Sequence, residues 1–454
     1  MNALVAVALL GTAALVSFPL RKRLRIAGAI SCVAILAATL LLAFSPADAT
    51  AQALELTFRV TPLGRLASLV LLATLLLLVL DVWFGEPAYN FFPTALGVGA
   101  STVGLLSLTS PLAIYAVLLL ALLLPVGSFV FQVQRNRSVE AALRHFAFVA
   151  LGGCLGIASL ALAATLPKDQ PATTFVLLLV VLVVAFALKL AAIPFHTHAA
   201  LLVGEAPVAA LALYFGVLVP ATFLAFAQIL TVSGLLPQVV QVQRIQDLLF
   251  GIGIVSAIGG SLLALGAADL RRLVVYSVIA NLGAAVVGLS TLSGPGIVGG
   301  IAIAIVTGAC ATQQLLAAGA LERGALPDET ASAARAPLAA AAFIGGGAGM
   351  IGLPPLVGFP GHFFVELIAY AYSAAAGTAL VLAALLLLVA QLRAGMTLFA
   401  APVDTWQIEP RPVAGIIGGL IFAALLLGGI LPDAFLRPIA TFADEFIRAL
   451  RPLT

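Results

Sequence analysis

The chain has 454 residues, of which 63% are hydrophobic and 9% are charged, and its formal net charge is +3. A soluble globular protein carries about 25% charged residues, so this composition excludes a soluble globule and predicts a polytopic membrane protein. The few basic residues are scattered and are not interleaved with aromatic residues, so no nucleic-acid partner is expected.

Long apolar runs divide the chain into about fourteen segments, each close to the roughly 20 residues that cross a hydrocarbon core. The first run is followed, not preceded, by a basic cluster, which indicates a spanning helix rather than a cleaved signal peptide. After the last run, residues 434–450 alternate apolar with charged residues, which is typical of an interfacial amphipathic helix. The segments begin near Ala3, Leu24, Leu63, Pro93, Pro111, Ala142, Thr173, Pro207, Asp247, Leu270, Ile297, Ala336, Ala375 and Val413.

Basic residues are concentrated in loops of one parity, which predicts the orientation of the chain. Cytoplasmic loops of membrane proteins are enriched in lysine and arginine. The basic clusters lie at 21–25, at Arg135 with Arg137 and Arg144, at 271–272, and at Arg323 with Arg335. Loops of the other parity hold isolated basic residues such as Arg59, Lys168 and Arg244. With fourteen crossings, both termini are expected on the outer side of a bacterial-type inner membrane.

The stretch 186–198, FALKLAAIPFHTH, places a lysine, a proline and two histidines inside an apolar segment. A charge at mid-membrane depth costs about 2.5–3.5 kcal/mol, so Lys189 is expected to face a cavity or partner, with snorkelling to an interface as the alternative. Pro194 breaks the helix and frees backbone groups beside the lysine. His196 is expected either to relay protons or to bond that freed backbone, and His198 is expected at the interface.

A second interruption lies in residues 352–366, GLPPLVGFPGHFFVE. Three prolines cannot continue a regular helix there. They are Pro354, Pro355 and Pro360. His362 and Glu366 follow at i,i+4 spacing and share a helix face, where they form either a titratable pair or an interfacial pair. This break comes about five segments after the first, which is typical of two inverted five-helix repeats with a discontinuous helix in each.

Uncharged polar residues in other spanning segments are expected to form interhelical hydrogen bonds worth about 1 kcal/mol or less. They include Tyr276, Gln313 and Gln314. Gln313 and Gln314 are also candidates to line water between the two breaks. Glu205 is expected to cap the helix that opens at Pro207. Three isolated cysteines and four histidines show no metal-ligand spacing, so we expect no metal, cofactor or catalytic site in this chain.

These features divide the predicted all-α polytopic fold into four regions. Residues 1–110 form N-terminal transmembrane helices, and residues 111–235 form a first inverted repeat with its break at Pro194. Residues 247–400 form a second repeat with its break at 354–360. Residues 412–454 form a C-terminal transmembrane helix and an amphipathic tail.

Four motifs, taken in this order, resemble the antiporter-like subunits of respiratory complex I, most closely subunit N. Those subunits are related to Mrp-type cation/proton antiporters and to membrane-bound hydrogenase subunits. The motifs are residues 138–146, SVEAALRHF; Lys189 with Pro194-Phe195-His196 and Glu205-Ala206-Pro207; residues 269–283, DLRRLVVYSVIANLG; and the broken segment 352–363. They cover roughly half of the chain.

The resemblance implies a proton path along the membrane mid-plane. Its members are a glutamate of helix 5 paired with a lysine of helix 7, a lysine or histidine of helix 8, and a lysine or glutamate of helix 12. Lys189 and His362 stand at the helix-7 and helix-12 positions. The helix-5 position falls on Leu120 and the helix-8 position near Val219 and Pro220. Candidate members of the path are Lys189, His196, His362, Glu366, Gln313, Gln314 and Tyr276.

The retained ionisable residues favour a proton-translocating antiporter-like membrane subunit of a complex I-related or hydrogenase-type assembly, as in an NADH-quinone oxidoreductase. The apolar Leu120 and Val219 favour a degenerate, non-conducting structural subunit of such an assembly instead. A third reading is the membrane subunit of a cation/proton antiporter or of an ion-driven inorganic-carbon uptake system. All three imply a lipid bilayer, partner membrane subunits, and protons or monovalent cations, with any redox chemistry left to partners.

Overall fold

A computed structural model describes residues 2–46, 48–85, 90–130, 137–167, 172–236, 243–324, 333–400 and 412–450. In the first half the helices are α1 (Asn2–Ser17), α2 (Leu24–Ala43), α3 (Pro62–Phe84), α4 (Phe91–Ser107), α5 (Pro111–Leu123), α6 (Val126–Val130), α7 (Ser138–Thr165), α8 (Ala172–Lys189), α9 (Thr197–Glu205), α10 (Val208–Leu213) and α11 (Val219–Val232), with a π-helical segment, Tyr214–Leu218, between the last two. In the second half they are α12 (Gln243–Leu265), α13 (Leu270–Ser290), α14 (Gly294–Gly324), α15 (Pro337–Ile351), α16 (Gly358–Tyr372), α17 (Ala374–Phe399), α18 (Val413–Ile430) and α19 (Pro432–Ala449).

The predicted polytopic helical membrane fold is confirmed. Ten helical spans within the described ranges are long and apolar enough to cross a membrane, and α1, α4, α8 and α15 are shorter apolar helices. Two of those shorter helices, α8 and α15, end where the sequence predicts breaks, which accounts for their length. The count of fourteen crossings and the two inverted repeats stay predictions.

A short β-hairpin in the loop after α2 was not predicted from the sequence. Strands β1 (Thr50–Ala53) and β2 (Leu56–Arg59) pair antiparallel, and Phe58 bridges to Leu108 after α4. The connecting Leu54 and Glu55 both have positive φ. The hairpin lies in the loop of the parity predicted to face outward.

The core of the molecule is centred on α14, in which every residue from Gly296 to Leu321 is buried. Helices α13 and α10–α11 pack around it and are buried to a similar extent. The outer helices instead expose large apolar side chains, such as Leu15, Phe44 and Met396. An apolar outer surface of this extent suits contact with lipid rather than water.

The C-terminal amphipathic helix is present as α19. Its apolar residues Ile439, Phe442 and Phe446 are buried, and the helix packs against α3 and α14. Arg59 of the hairpin forms ion pairs with Asp48 and with Glu445 of this helix. The helix is amphipathic as predicted, and its apolar face packs against other helices of the same chain.

The charged ends of several helices form ion pairs on the side that the sequence assigns to the cytoplasm. Glu140 pairs with both Arg137 and Arg144, and Arg271 pairs with Glu322. The orientation prediction also used Arg135, Lys168 and Arg244. Arg135 and Lys168 lie outside the described residues, and so does the side chain of Arg244.

Close packing of α12 on α13 depends on glycine, and a matched pair of substitutions tests this. A Cβ atom at Gly260 would lie 2.6 Å from the backbone nitrogen of Ala280, whereas a Cβ at Gly251, on the same helix, meets no atom within 4 Å. We expect Gly260→Ala to force the helices apart and to lower stability by about 1–3 kcal/mol. Thermal unfolding of both variants in detergent checks this. An equal midpoint for Gly260→Ala and the Gly251→Ala control would contradict it.

Candidate functional site

Lys189 is the last residue of α8 and is fully buried, with 0% of its surface exposed. Its Nζ donates a hydrogen bond of 3.2 Å to the carbonyl oxygen of Val149 in α7. A cation at the C-terminus of a helix also interacts favourably with the helix dipole. The burial excludes a snorkelling lysine and agrees with the expectation that Lys189 faces the protein interior.

An aromatic ring, not a carboxylate, faces the Lys189 ammonium from α5. The Nζ atom lies 5.0 Å from the centroid of the Tyr115 ring, within range of a cation–π interaction. The Tyr115 hydroxyl donates to the carbonyl oxygen of Gly152. Among the residues described, no carboxylate oxygen lies within 4.0 Å of the ammonium. Leu120 is 56% exposed, so the helix-5 position counted from the sequence faces away from Lys189.

The helix is interrupted between Lys189 and Thr197, around Pro194. The Ile193–Pro194 peptide bond is cis, and the Ile193 backbone N–H donates to the Ser256 hydroxyl at 3.1 Å. His196 is partly exposed, and its Nδ1 has no hydrogen-bond partner in the part of the chain that the structure describes. Ser256, and not His196, therefore satisfies backbone freed at this break.

His198 is fully buried, so the expectation of an interfacial histidine was wrong. Its ring stacks on Phe148 with centroids 4.8 Å apart, and it lies 5.5 Å from the ring of His145 on α7. The sequence could not separate His196 from His198, because both follow a proline break whose turn geometry decides which one points inward. His145 belongs to the motif at residues 138–146, but the sequence did not predict that its side chain is buried.

Tyr214 joins the histidines to the lysine. Its hydroxyl donates to the backbone carbonyl of Lys189 at 3.2 Å, and its ring lies edge-on to His145 with centroids 4.8 Å apart. Tyr214 opens the π-helical segment, a feature often found at functional sites. Gly216, in the same segment, packs against the hydroxyl of Thr312 in α14, where a side chain at position 216 would not fit.

Glu205 does not form the expected cap. It ends α9, and α10 begins at Val208 after Pro207, with no capping hydrogen bond from a side chain. Proline at the N-terminal edge of α10 has no N–H to satisfy, so the helix start needs one partner fewer.

Gln313 and Gln314 lie in the middle of the buried helix α14 and bond neighbouring helices, as expected. Gln314 Nε2 donates to the carbonyl of Phe343 at 3.0 Å and to Gln391 Oε1 at 2.9 Å, and Gln391 Nε2 donates to Ser277 Oγ at 3.4 Å. Gln313 Nε2 donates to the carbonyl of Ala342 at 2.9 Å. Gln391 was not foreseen, although a single amide in the otherwise apolar α17 was the available signal.

Three buried oxygen atoms on α14 have no partner within the described ranges: Thr312 Oγ1, Gln313 Oε1 and Gln314 Oε1. An unsatisfied buried acceptor costs about 1–3 kcal/mol, so ordered water is the usual partner at such positions. That the two glutamines border water between the breaks stays a prediction.

The second interruption separates α15 from α16. Gly352 has φ +76° at the end of α15, and the Pro354–Pro355 peptide bond is cis. Pro360 lies in the first turn of α16 rather than in the break, because a proline there lacks only an N–H that the helix does not use. Asn281 Nδ2 donates to the carbonyl of Met350 at 2.6 Å, next to this break.

His362 and Glu366 line one cavity with Asn281 and Ser261. Its volume of about 20 Å³ suffices for roughly one water molecule. No hydrogen bond joins the two side chains in the described structure, so they share a cavity without forming a direct pair. Tyr276 is partly exposed and contacts neither this cavity nor the glutamines through a hydrogen bond, so the structure does not bring it into the cluster.

A family model described as NADH:quinone oxidoreductase/Mrp antiporter, TM, matches residues 127–390. NADH-quinone oxidoreductase subunit N 2 of Acidobacterium capsulatum is 27% identical over 380 residues, which cover 77% of this chain and 76% of that protein. NADH-quinone oxidoreductase subunit 13 of Thermus thermophilus is 31% identical over 219 residues, a match that spans 45% of each protein.

Solved structures share the fold over nearly the whole chain. A chain of respiratory complex I from Thermus thermophilus superposes with a TM-score of 0.81 at 21% identity, covering 99% of this chain and 100% of that one. A chain of the archaeal membrane-bound sulfane sulfur reductase gives 0.83 at 16% identity, covering 98% and 99%. A chain of the Mrp complex from Dietzia sp. DQ12-45-1b gives 0.78 at 17% identity, covering 99% and 97%.

Gln391 connects α13, α14 and α17, and its removal tests the amide network. In Gln391→Leu, an N–H of Gln314 loses its acceptor inside the bundle, and Ser277 loses a donor. We expect a loss of stability of about 1–3 kcal/mol, measured as a lower unfolding midpoint in detergent. The neighbouring Leu392 is 57% exposed, so Leu392→Ala is the matched control. Equal midpoints for the two variants would show that the network contributes nothing.

Proposed function

Because this chain belongs to the NADH:quinone oxidoreductase/Mrp antiporter transmembrane family, we propose that it is a proton-translocating, antiporter-like membrane subunit of a multi-subunit assembly. The relatives named above are subunits of NADH-quinone oxidoreductases, and the similar folds occur in complex I, in an Mrp complex and in a sulfane sulfur reductase. Partner membrane subunits would supply any redox reaction.

The observation that carries the proposal is the fully buried lysine at a helix break. The protonated form of Lys189 is held by the Val149 carbonyl, the C-terminal end of α8 and the Tyr115 ring. The neutral form avoids the cost of a charge within the membrane. Because each form is stabilised in a different way, a modest change imposed by a partner subunit is enough to bind or release the proton.

The second end of the path is the cavity that holds His362 and Glu366. Both side chains are titratable, and both line a cavity large enough for about one water molecule. We place Tyr214 and three residues of α14 between the two ends. The Tyr214 hydroxyl donates to the Lys189 carbonyl, and the oxygen atoms of Thr312, Gln313 and Gln314 that have no partner among the described residues favour water. Protons would move along this line, from one break to the other, within the membrane plane.

The runner-up is a non-conducting structural subunit of the same kind of assembly. It is favoured by the absence of a carboxylate near Lys189 in the described chain and by the apolar, buried Val219 and Pro220 on α11. An Mrp-like cation/proton antiporter, or an ion-driven inorganic-carbon uptake system, is the third candidate. Flux that requires Na⁺ or K⁺ would favour that third candidate.

Replacement of Lys189 by methionine distinguishes a proton-translocating subunit from a non-conducting structural subunit. Methionine keeps the approximate volume and removes the charge, so we expect normal assembly and a loss of proton flux in reconstituted vesicles. His362→Gln is expected to slow flux less, because Glu366 still exchanges protons. Lys22→Met, at an exposed lysine, is the matched control. If Lys189→Met assembles normally and proton flux continues at the unmodified rate, the chain is a scaffold.

The chain is a multi-pass membrane protein, and we propose a bacterial-type inner membrane with both termini on the outer side. Impermeant thiol labelling in intact cells tests the orientation, in a background without Cys32, Cys154 and Cys310. Arg137 is exposed at the start of α7, so Arg137→Cys is a suitable position for the label. We expect no labelling at Arg137→Cys and strong labelling at Thr50→Cys in the hairpin. Strong labelling at Arg137→Cys and none at Thr50→Cys would show that the chain has the opposite orientation.

A further inference from the structure

We propose that His145 and His198 form a proton-intake pair, which loads Lys189 from the membrane surface that carries Arg137 and Arg144. This inference rests on the proposed function and adds two residues to it.

The two imidazoles are buried with most of their ring nitrogens unused. Both side chains are 0% exposed, and their ring centroids are 5.5 Å apart. Neither nitrogen of His145 makes a hydrogen bond of normal geometry to a described residue, although the backbone of Leu122 lies close to the ring, and Nε2 of His198 has no partner there either. Buried polar atoms without partners are costly, so these nitrogens are expected to bind water or a proton.

The tautomer of His198 follows from its one hydrogen bond. Nδ1 lies 2.9 Å from the carbonyl oxygen of Phe195, and a carbonyl only accepts, so Nδ1 carries the hydrogen. In the neutral ring Nε2 is then a free acceptor. A proton bound at Nε2 produces an imidazolium that the Phe195 carbonyl already stabilises.

Positions along α7 place the pair between the surface and the lysine. Glu140 and Arg144 are exposed near the start of the helix, and His145 is buried just below them. Val149, whose carbonyl accepts from Lys189 Nζ, follows His145 at i,i+4. Residues at that spacing are neighbours on one helix face, about 5–6 Å apart, so the ammonium lies roughly one turn deeper than His145.

The first break is where the surroundings of the pair reach the outside of the bundle. His196 is partly exposed and precedes His198 by two residues, so the loop before α9 reaches from the bundle surface to the buried ring. Other titratable groups are presented by the helices packed around the pair. They are Tyr115 of α5, Lys189 of α8, Tyr214 of the π-helical segment and Arg272 of α13.

One proton moves in the transfer, and both histidines end neutral: His198 keeps its tautomer, whereas His145 ends in its other tautomer and returns by a ring flip. A proton from surface water binds His198 Nε2 and then leaves the same atom through water to one nitrogen of His145. His145 releases the proton of its other nitrogen through water to the neutral amine of Lys189, which becomes an ammonium. The neutral Lys189 amine is the final proton acceptor. The site therefore alternates between a neutral and a protonated Lys189, with both histidines neutral in each state.

The test is a double variant in the intact assembly reconstituted into vesicles. His145→Phe with His198→Phe keeps two aromatic rings of similar size and removes every exchangeable ring proton. We expect proton flux to fall by roughly tenfold or more, in line with the contribution of a positioned proton carrier. Phe148→Leu, which removes the ring stacked on His198 but keeps both imidazoles, is the control and should retain flux to within about twofold. Unchanged flux in a correctly assembled double variant overturns the proposal.

A second measurement does not depend on flux. Nitrogen-15 NMR of the histidine-labelled assembly, with signals assigned by their loss in single variants, reports the ring protonation directly. We expect the ring hydrogens of both histidines to exchange with water and His145 to sample both of its tautomers, whereas a His145 ring held in one neutral tautomer would overturn the pair. If Lys189→Met leaves flux unchanged, the proposed function fails while the NMR result still decides whether the pair binds protons. If Lys189→Met abolishes flux and the double variant does not, only the intake pair fails.

Discussion

A lysine that is fully buried in a membrane protein, with no carboxylate within 4.0 Å among the described residues, sets the main constraint on this structure. The cost of a charge at that depth, about 2.5–3.5 kcal/mol, has to be offset by groups that are themselves uncharged. The fold supplies a backbone carbonyl from α7, the end of α8 and the face of Tyr115. This arrangement requires α7 to approach α8 closely, and a Cβ at Gly152 would lie only 2.9 Å from the carbonyl of Ala185 and 3.2 Å from Lys189 Nζ.

The helix interruptions solve a second problem, which is how to hold polar groups in apolar surroundings. Each break frees backbone groups, and a side chain from a neighbouring helix contacts one of them: Ser256 at the first break and Asn281 beside the second. The breaks are therefore fixed parts of the bundle, held by interhelical hydrogen bonds. An ionisable residue lies near each break, Lys189 just before the first and His362 in the helix that follows the second, where freed backbone lowers the cost of its burial.

Between the breaks the polar groups are amides and hydroxyls, and this decides what they can do. Gln314, Gln391 and Ser277 hold one another in a single orientation. An amide orients water but does not exchange protons at ordinary pH, so proton binding is confined to Lys189, the histidines and Glu366. The oxygens of Thr312, Gln313 and Gln314 that have no partner among the described residues all lie in the buried part of α14, so any water there is enclosed by protein.

The sequence by itself determined the polytopic helical fold, the location of both breaks and the burial of Lys189. Each followed from a strong and local signal: the share of apolar residues, prolines inside apolar runs, and a charge far from any loop. Tertiary structure alone decided which side of each helix faces the core. Only the structure showed that Tyr115 reaches the lysine while Leu120 faces outward, that His198 is buried beside His145, and that Gln391 completes a network. The physical reason is that lipid and protein interior are both apolar, so a helix in this bundle is hydrophobic all round and its sequence carries little periodic signal.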